Sequence, residues 1–246
     1  MNAPSPIVRY SLVIPAYNEA RLLPRLLDSV DAARERFADP AAIEVIVADN
    51  DSTDATAQIA AQRGCRVVHV EKRVIAAARN GGAACARGEI ICFIDADSQL
   101  HPDTFVAIER ALADPRCIGG ATGVRLERWS AGIAATYVIF LPMVWLTGMD
   151  AGVVFCRRED FAAVGGYDER RPVAEDVAFL WALRRLGRRR GQKLRRVTRA
   201  KAIASTRKFD EFGDWHYFGL FGEGLRHLRG RGGTELTERY WYKPQR

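Results

Sequence analysis

Residues able to do chemistry gather in a few short stretches of the chain. Asp95-Ala96-Asp97 sets two carboxylates two residues apart, so both can reach one divalent cation. A hard ion such as Mg2+ or Mn2+ prefers oxygen donors and often takes one or two carboxylates together with substrate phosphates. Asp49-Asn50-Asp51-Ser52-Thr53-Asp54 and Pro15-Ala16-Tyr17-Asn18-Glu19 are two further polar turns. Glu175-Asp176 opens a predicted helix, where an acidic pair also simply complements the helix dipole. Asn18 and Ser52 or Thr53 read as ordinary helix caps, as do Ser98 and Asp103. Capping needs one such residue per turn, and it leaves Asp49, Asp51, Asp95 and Asp97 together without a role.

The elements that position these turns follow from the hydrophobic pattern. Short apolar runs at 11–14, 43–47, 66–70 and 89–94 read as strands, and helical patterns fall at about 19–36, 53–63, 75–87 and 103–113. Strands of about five residues alternating with helices of ten or more predict βαβ units and a mainly parallel sheet flanked by helices. Ligands of such sheets bind beyond the carboxyl ends of the strands, which is where the three polar turns fall. Arg79 lies in the helix predicted to approach the same edge, where its guanidinium can pair with a pyrophosphate or with Asp95. Beyond residue 150 the pattern predicts a strand at 151–156, a helix at 158–164 and another at 175–186. The last has Phe179, Leu180, Leu183 and Leu186 on one face.

Six motifs together resemble glycosyltransferase family 2, whose inverting members have the GT-A fold. They are 13–19, Val47 to Thr56, Ala78-Arg79-Asn80-Gly81-Gly82, Phe93 to Asp97, Gly165-Gly166-Tyr167-Asp168-Glu169 and Ala174-Glu175-Asp176-Val177. They stand in the family's order and cover about residues 10–187. The resemblance implies a single Rossmann-like α/β GT-A domain over 1–246, with a nucleotide-binding half at about 1–97 and an acceptor half at about 98–246. Pro15, Tyr17 and Glu19 would line the nucleoside pocket, and Asp49, Asn50 or Asp51 would bond the base edge. Relatives often carry glycine where Asp51 stands, and aspartate tolerates the left-handed backbone glycine supplies. Asp97 would bind Mn2+ or Mg2+, with Asp95 supporting the ribose or the metal. Asp176 would be the general base, and Glu175 would help position the acceptor or the base. The implied partners are a nucleotide-sugar donor, a UDP-sugar favoured, and a hydroxyl acceptor that is a glycan, a lipid-linked molecule or a small molecule. The Gln-x-x-Arg-Trp motif of processive relatives is absent, which implies transfer of one sugar. His216 and Arg207 are the candidates for a late contact with the metal and the diphosphate.

Composition bounds the rest. A chain of 246 residues, 48% hydrophobic and 27% charged, suits one large core rather than disorder. Five scattered cysteines without a CxxC pair read as free thiols in a reducing compartment. Residues Met1 to Val8 lack the pattern of a secretory signal, which points to a cytoplasmic protein, and two later segments, the uncharged run 129–149 and the basic window 184–201, point to the inner membrane face. Trp129 to Met149 carries no charge over 21 residues. A bilayer crossing there would separate Glu175-Asp176 from the acidic turns, so it reads as a buried or membrane-facing helix. The window Arg184 to Lys201 holds ten basic residues and no acid, exceeding the net charge of +7 of the whole chain. It reads as a solvated face, a nucleic-acid patch or an anchor to anionic lipid. No aromatic residues interleave it, which argues against single-stranded nucleic acid. Two rival functions are a nucleotidyltransferase and a non-catalytic nucleotide-binding scaffold at a membrane. The Gly-rich phosphate loops G-x-G-x-x-G and G-x-x-x-x-G-K-[ST] are absent.

Overall fold

A computed structural model describes residues 7–147, 152–171 and 174–215. Its elements run β1 (Tyr10–Ala16), α1 (Leu23–Glu35), β2 (Ile43–Asp49), α2 (Thr56–Gln62), β3 (Arg66–His69), α3 (Ile75–Ala84), β4 (Ile90–Phe93) and α4 (Thr104–Leu112). Then come β5 (Cys117–Leu126), α5 (Ala131–Thr147), β6 (Val154–Arg157), α6 (Arg158–Val164), α7 (Glu175–Arg189), β7 (Lys193–Ala204) and α8 (Arg207–Phe212). The seven strands form one sheet in the order β3-β2-β1-β4-β6-β5-β7. β3, β2, β1 and β4 run parallel, while β6 is antiparallel to both of its neighbours. This is the expected mainly parallel α/β sheet of the GT-A fold. Four of its strands come from about 1–97 and three from about 98–246.

Each face of the sheet is covered because each covering helix has one apolar stripe. Leu23, Leu26, Leu27 and Val30 of α1 join Phe105, Ile108 and Leu112 of α4 against Leu12, Ile14 and Val47. On the other face Ala76 and Ala83 of α3 and Phe179, Leu180 and Leu183 of α7 pack with Val13, Ile91 and Phe93. Burying one such Leu or Phe side chain is worth about 1.5–3 kcal/mol. Of the expected α7 face, Leu186 is only partly buried. α3 lies close to the sheet because it presents glycine there. A Cβ at Gly82 would come within 2.4 Å of Val13 Cγ1, and one at Gly81 within 2.7 Å of Val70 Cγ2.

Two strands were not expected. β5 is rich in small residues with weak strand preference, and tertiary contact imposes them. A Cβ at Gly120 would stand 1.8 Å from the Arg195 carbonyl oxygen of β7. β7 takes up half of the basic window. It is an edge strand, and exposed cations on an edge discourage pairing with another sheet.

The chain packs as two compact units, 1–125 with 148–204 and 126–147 with 205–246. The first holds the sheet. In the second, Arg128 holds Asp210 and Asp214 at 2.5 and 2.7 Å, and the backbone of Asp214 lies against Gly132. Ala131–Thr147 of the uncharged run form α5. Ile133 and Thr136 are buried, whereas Val138 and Ile139 are exposed, so neither core burial nor outward exposure describes the whole helix. No helix among the described residues is long and apolar enough to cross a membrane.

Candidate active site

β1, β2 and β4 deliver their following turns to one edge of the sheet, since Ala16 pairs with Asp49 and Val13 with Phe93. The turns after β1 and β2 are bonded to each other. The backbone N–H of Asn18 donates to Ser52 Oγ at 3.0 Å, and that of Thr53 donates to Asn18 Oδ1 at 2.8 Å. The Glu19 N–H donates to Thr56 Oγ1 at 2.8 Å, and the Ala20 N–H to Asp54 Oδ2 at 3.1 Å. The capping reading of Asn18, Ser52 and Thr53 is therefore corrected. The helices begin later, at Leu23 and Thr56, and these side chains serve to join two loops. Asp103 occupies the N-cap position of α4, but its side chain makes no cap bond. Among the described residues, the three non-glycine residues in left-handed backbone are Asn18 (φ 52°), Asp51 (φ 66°) and Ala174 (φ 60°). All three belong to the turns that carry the site, where such strain is often concentrated.

On the donor side, Pro15 is buried in β1. Tyr17 is partly buried, and the Arg73 guanidinium lies 5.3 Å from its ring centroid. Arg73 also pairs with Asp51 at 2.7 Å, so it bridges two of the expected nucleoside-pocket residues. Asp49 is buried and accepts the Ser52 N–H at 3.2 Å, with His69 Nδ1 3.6 Å from its other oxygen. Asn50 is 3% exposed, and its amide donates to the carbonyls of Val70 and Lys72 at 3.0 and 2.7 Å. That amide braces the β3–α3 loop, and the same loop carries Arg73. Glu19 is partly buried beside the bonded turns.

Arg79 is the centre of the second cluster. It is 3% exposed. Its Nη2 lies 2.8 Å from Asp95 Oδ1, and its Nη1 lies 2.7 Å from Glu175 Oε1 and 3.0 Å from Asp176 Oδ1. The guanidinium also sits over Tyr167, 5.1 Å from the ring centroid, and Tyr167 stacks on Phe179 at 4.4 Å. One buried cation thus draws the end of β4 and the start of α7 together. Asn80 fixes the approach from the other side. It donates to the Tyr167 carbonyl at 2.9 Å and to Glu169 at 3.0 Å, and it accepts the Tyr167 N–H at 2.9 Å. Lys72 pairs with Glu169 at 2.6 Å.

The charges respond to this packing. Burial pushes the Asp176 carboxyl up, Arg79 pulls it down, and Asp95 and Glu175 push it up further, leaving it at about 6. Its Oδ1 is enclosed beside the Arg79 guanidinium, while the side chain as a whole is 31% exposed. Burial lowers the Arg79 guanidinium, yet Asp176, Asp95 and Glu175 hold it well above its usual value, so it stays charged. Asp95 is 54% exposed and Asp97 is partly exposed in the turn that follows.

Of the expected residues, Asp95, Arg79, Glu175 and Asp176 come together as one cluster, while Tyr17 and Asp51 come together through Arg73. Asp49 and Asn50 are buried beneath the second group. Arg207 opens α8 in the second compact unit, and His216 lies outside the described residues. Arg73 and Tyr167 were missed as contact residues. Arg73 stands between two predicted elements with no motif of its own, although its place on the ligand edge was a usable signal.

Comparison with known proteins agrees with the fold. The family model for glycosyl transferase family 2 matches residues 11–138. The putative glycosyltransferase EpsH of Bacillus subtilis (strain 168) is 33% identical over 109 residues, 42% of this chain and 30% of that protein. Staphylococcus aureus TarS 1-349, crystallised with UDP-GlcNAc, is similar with a TM-score of 0.60 at 18% identity, over 81% of this chain and 59% of that one. The mannosyltransferase PcManGT of Pyrobaculum calidifontis, crystallised with GDP-Man and Mn2+, is similar with a TM-score of 0.60 at 24% identity, over 82% and 58%. The chain thus spans under two thirds of the length of each of these relatives. A mainly parallel sheet with its polar turns at one edge, matched over half the chain by the family model, means that this chain belongs to glycosyl transferase family 2.

Proposed function

We propose that the chain acts as a single catalytic domain that transfers one sugar, with inversion, from a nucleotide-diphosphate sugar to a hydroxyl acceptor. The observation that carries this reading is the Arg79 cluster, which joins the acidic strand end at Asp95 to the acid pair Glu175 and Asp176. Inverting displacement needs a base on the face of the sugar opposite the leaving diphosphate. Asp176 has the properties for that work: a carboxyl raised to about 6 by burial is largely ionised at neutral pH and still basic enough to take a hydroxyl proton. Glu175 and Arg79 hold it in place. Tyr17, Arg73 and Asp51 form a surface suited to a nucleobase, with Pro15, Glu19, Asp49 and Asn50 shaping and bracing it. A UDP donor is the favoured choice.

A divalent cation, Mn2+ or Mg2+, fits the donor set of Asp95 and Asp97. A hard ion of this kind is often held by one or two carboxylates and completes its shell with water and substrate phosphate oxygen. When bound, the ion would offset the charge of the leaving diphosphate. Asp97 and Asp95 would hold it, and Asp95 would do so with Oδ1 already oriented by Arg79.

The test is a thermal-shift screen of UDP-, GDP- and TDP-sugars with and without Mn2+, followed by turnover of the best donor. A ligand of the native state raises apparent stability by mass action. Asp97→Asn is expected to abolish the Mn2+-dependent shift. Asp176→Asn is expected to keep donor binding and lose transfer. Unchanged transfer in Asp176→Asn would overturn the base assignment, and absence of any nucleotide-dependent shift would favour a scaffold.

A further inference from the structure

The basic window remains unused by the site. Its ten cations are all exposed. Nine of them lie on two adjoining elements of the first compact unit, the second half of α7 and the edge strand β7, and Arg190 caps α7. Arg190 and Arg195 are tied to Asp160 and Asp114. Arg184, Arg185, Arg188 and Arg189 on α7, and Arg199 and Lys201 on β7, have no acidic partner among the described residues. Edge protection accounts for charge on β7. It does not account for α7, which has no strand edge to guard.

α7 buries Phe179, Leu180 and Leu183 against the sheet and turns its other face outward. On that face Trp181, Arg184, Arg185 and Arg188 follow the i, i+3, i+4, i+7 spacing of a single stripe. Trp181 is 50% exposed. A large exposed aromatic among unpaired arginines is an uncommon use of a soluble surface. Tryptophan settles at the headgroup level of bilayers, and arginine is drawn to anionic headgroups. We infer that the outward face of α7 and the adjoining edge strand β7 form a docking surface for an anionic lipid bilayer.

Two features favour a bilayer over nucleic acid. A single aromatic side chain offers one stacking platform, whereas single-strand binding uses successive ones. The helix is also seated on the sheet by its apolar face, so it offers one broad stripe rather than a free helix for a groove. The surface does not depend on the transferase assignment.

Co-sedimentation of the full chain with vesicles tests it. Vesicles of phosphatidylcholine mixed with phosphatidylglycerol are expected to bind the chain, and phosphatidylcholine alone is expected to fail. Each cation near an anionic surface multiplies partitioning about fivefold. The quadruple variant R184Q/R185Q/R188Q/R189Q should therefore bind at least about a hundredfold more weakly, with an unchanged melting temperature. The double variant R199Q/K201Q should lose about twentyfold, and it serves if the quadruple variant fails to fold. Trp181→Ala should weaken binding without changing its salt dependence. Equal binding to both vesicle types would overturn the proposal, as would no binding to the anionic vesicles. Binding of single-stranded RNA that all the arginine variants lose, with vesicle binding unaffected, would overturn it in favour of nucleic acid. Asp176→Asn should keep vesicle binding, so loss of transfer and loss of docking are read separately.

Discussion

Replacing Arg79 with methionine removes the one cation that three carboxylates share. Asp95 is half exposed, so water takes up much of its charge and its pairing contributes little. Glu175 is 12% exposed and Asp176 has an enclosed oxygen, and these two are left buried without a counter-ion. Breaking a buried pair from one side costs about 3–5 kcal/mol, and that is the loss expected at pH 8 from urea unfolding followed by circular dichroism. The pH dependence distinguishes this cause from simple loss of packing. Without Arg79 the Asp176 carboxyl loses the charge that pulls it down and is pushed further up in the folded state, so the fold binds a proton that the unfolded chain does not. By linkage this stability is present at low pH and is lost as pH rises through the folded-state values. The deficit against the parent protein should therefore be smaller at pH 5 than at pH 8. Arg79→Lys, a point charge that cannot fork between partners, should fall between the two. A deficit below about 1 kcal/mol, or one equal at both pH values, would refute the account of Arg79 as counter-ion, because surface changes alone stay near that size.

Other expectations follow from the same geometry. Asp176 titrates near 6 in the fold against an ordinary value of 3.8, so kcat should rise about tenfold per pH unit up to about 6 and then level. Its contribution to stability should fall over the same interval, and a profile that levels near 4 would contradict the burial argument. Gly120→Ala places a methyl group against the Arg195 carbonyl of β7 and should cost about 1–3 kcal/mol in chemical unfolding. No cost would mean that β5 and β7 are not closely paired. Asn50→Ala strips the carbonyls of Val70 and Lys72 of their donor and should cost about 1–3 kcal/mol. It should also raise the KM for donor more than it lowers kcat, because the loosened loop carries Arg73.

Local pattern was enough for the parallel half of the fold. Ile14, Val45, Val47, Ile90 and Ile91 sit in short β-branched runs, and alternation with helices places the polar turns at one edge. The stripe of Phe179, Leu180 and Leu183 was legible for the same reason, since helical spacing is a local property. Asp49, Asp51, Asp95 and Asp97 were marked by there being more acids than capping requires. What sequence by itself could not determine is long-range. β5 is a strand because Gly119 and Gly120 admit Phe155 and Arg195 at close range, a constraint set by residues tens of positions away. β7 is a strand at an edge, where outward charge replaces the apolar alternation that would have revealed it. Asn18 and Ser52 have the types of helix caps, and only the approach of two turns makes them cross-links. Arg79 was visible as a charge near the right edge. Its partners were decided by the tertiary structure, because burial excludes water and leaves one guanidinium to balance carboxylates from β4 and α7.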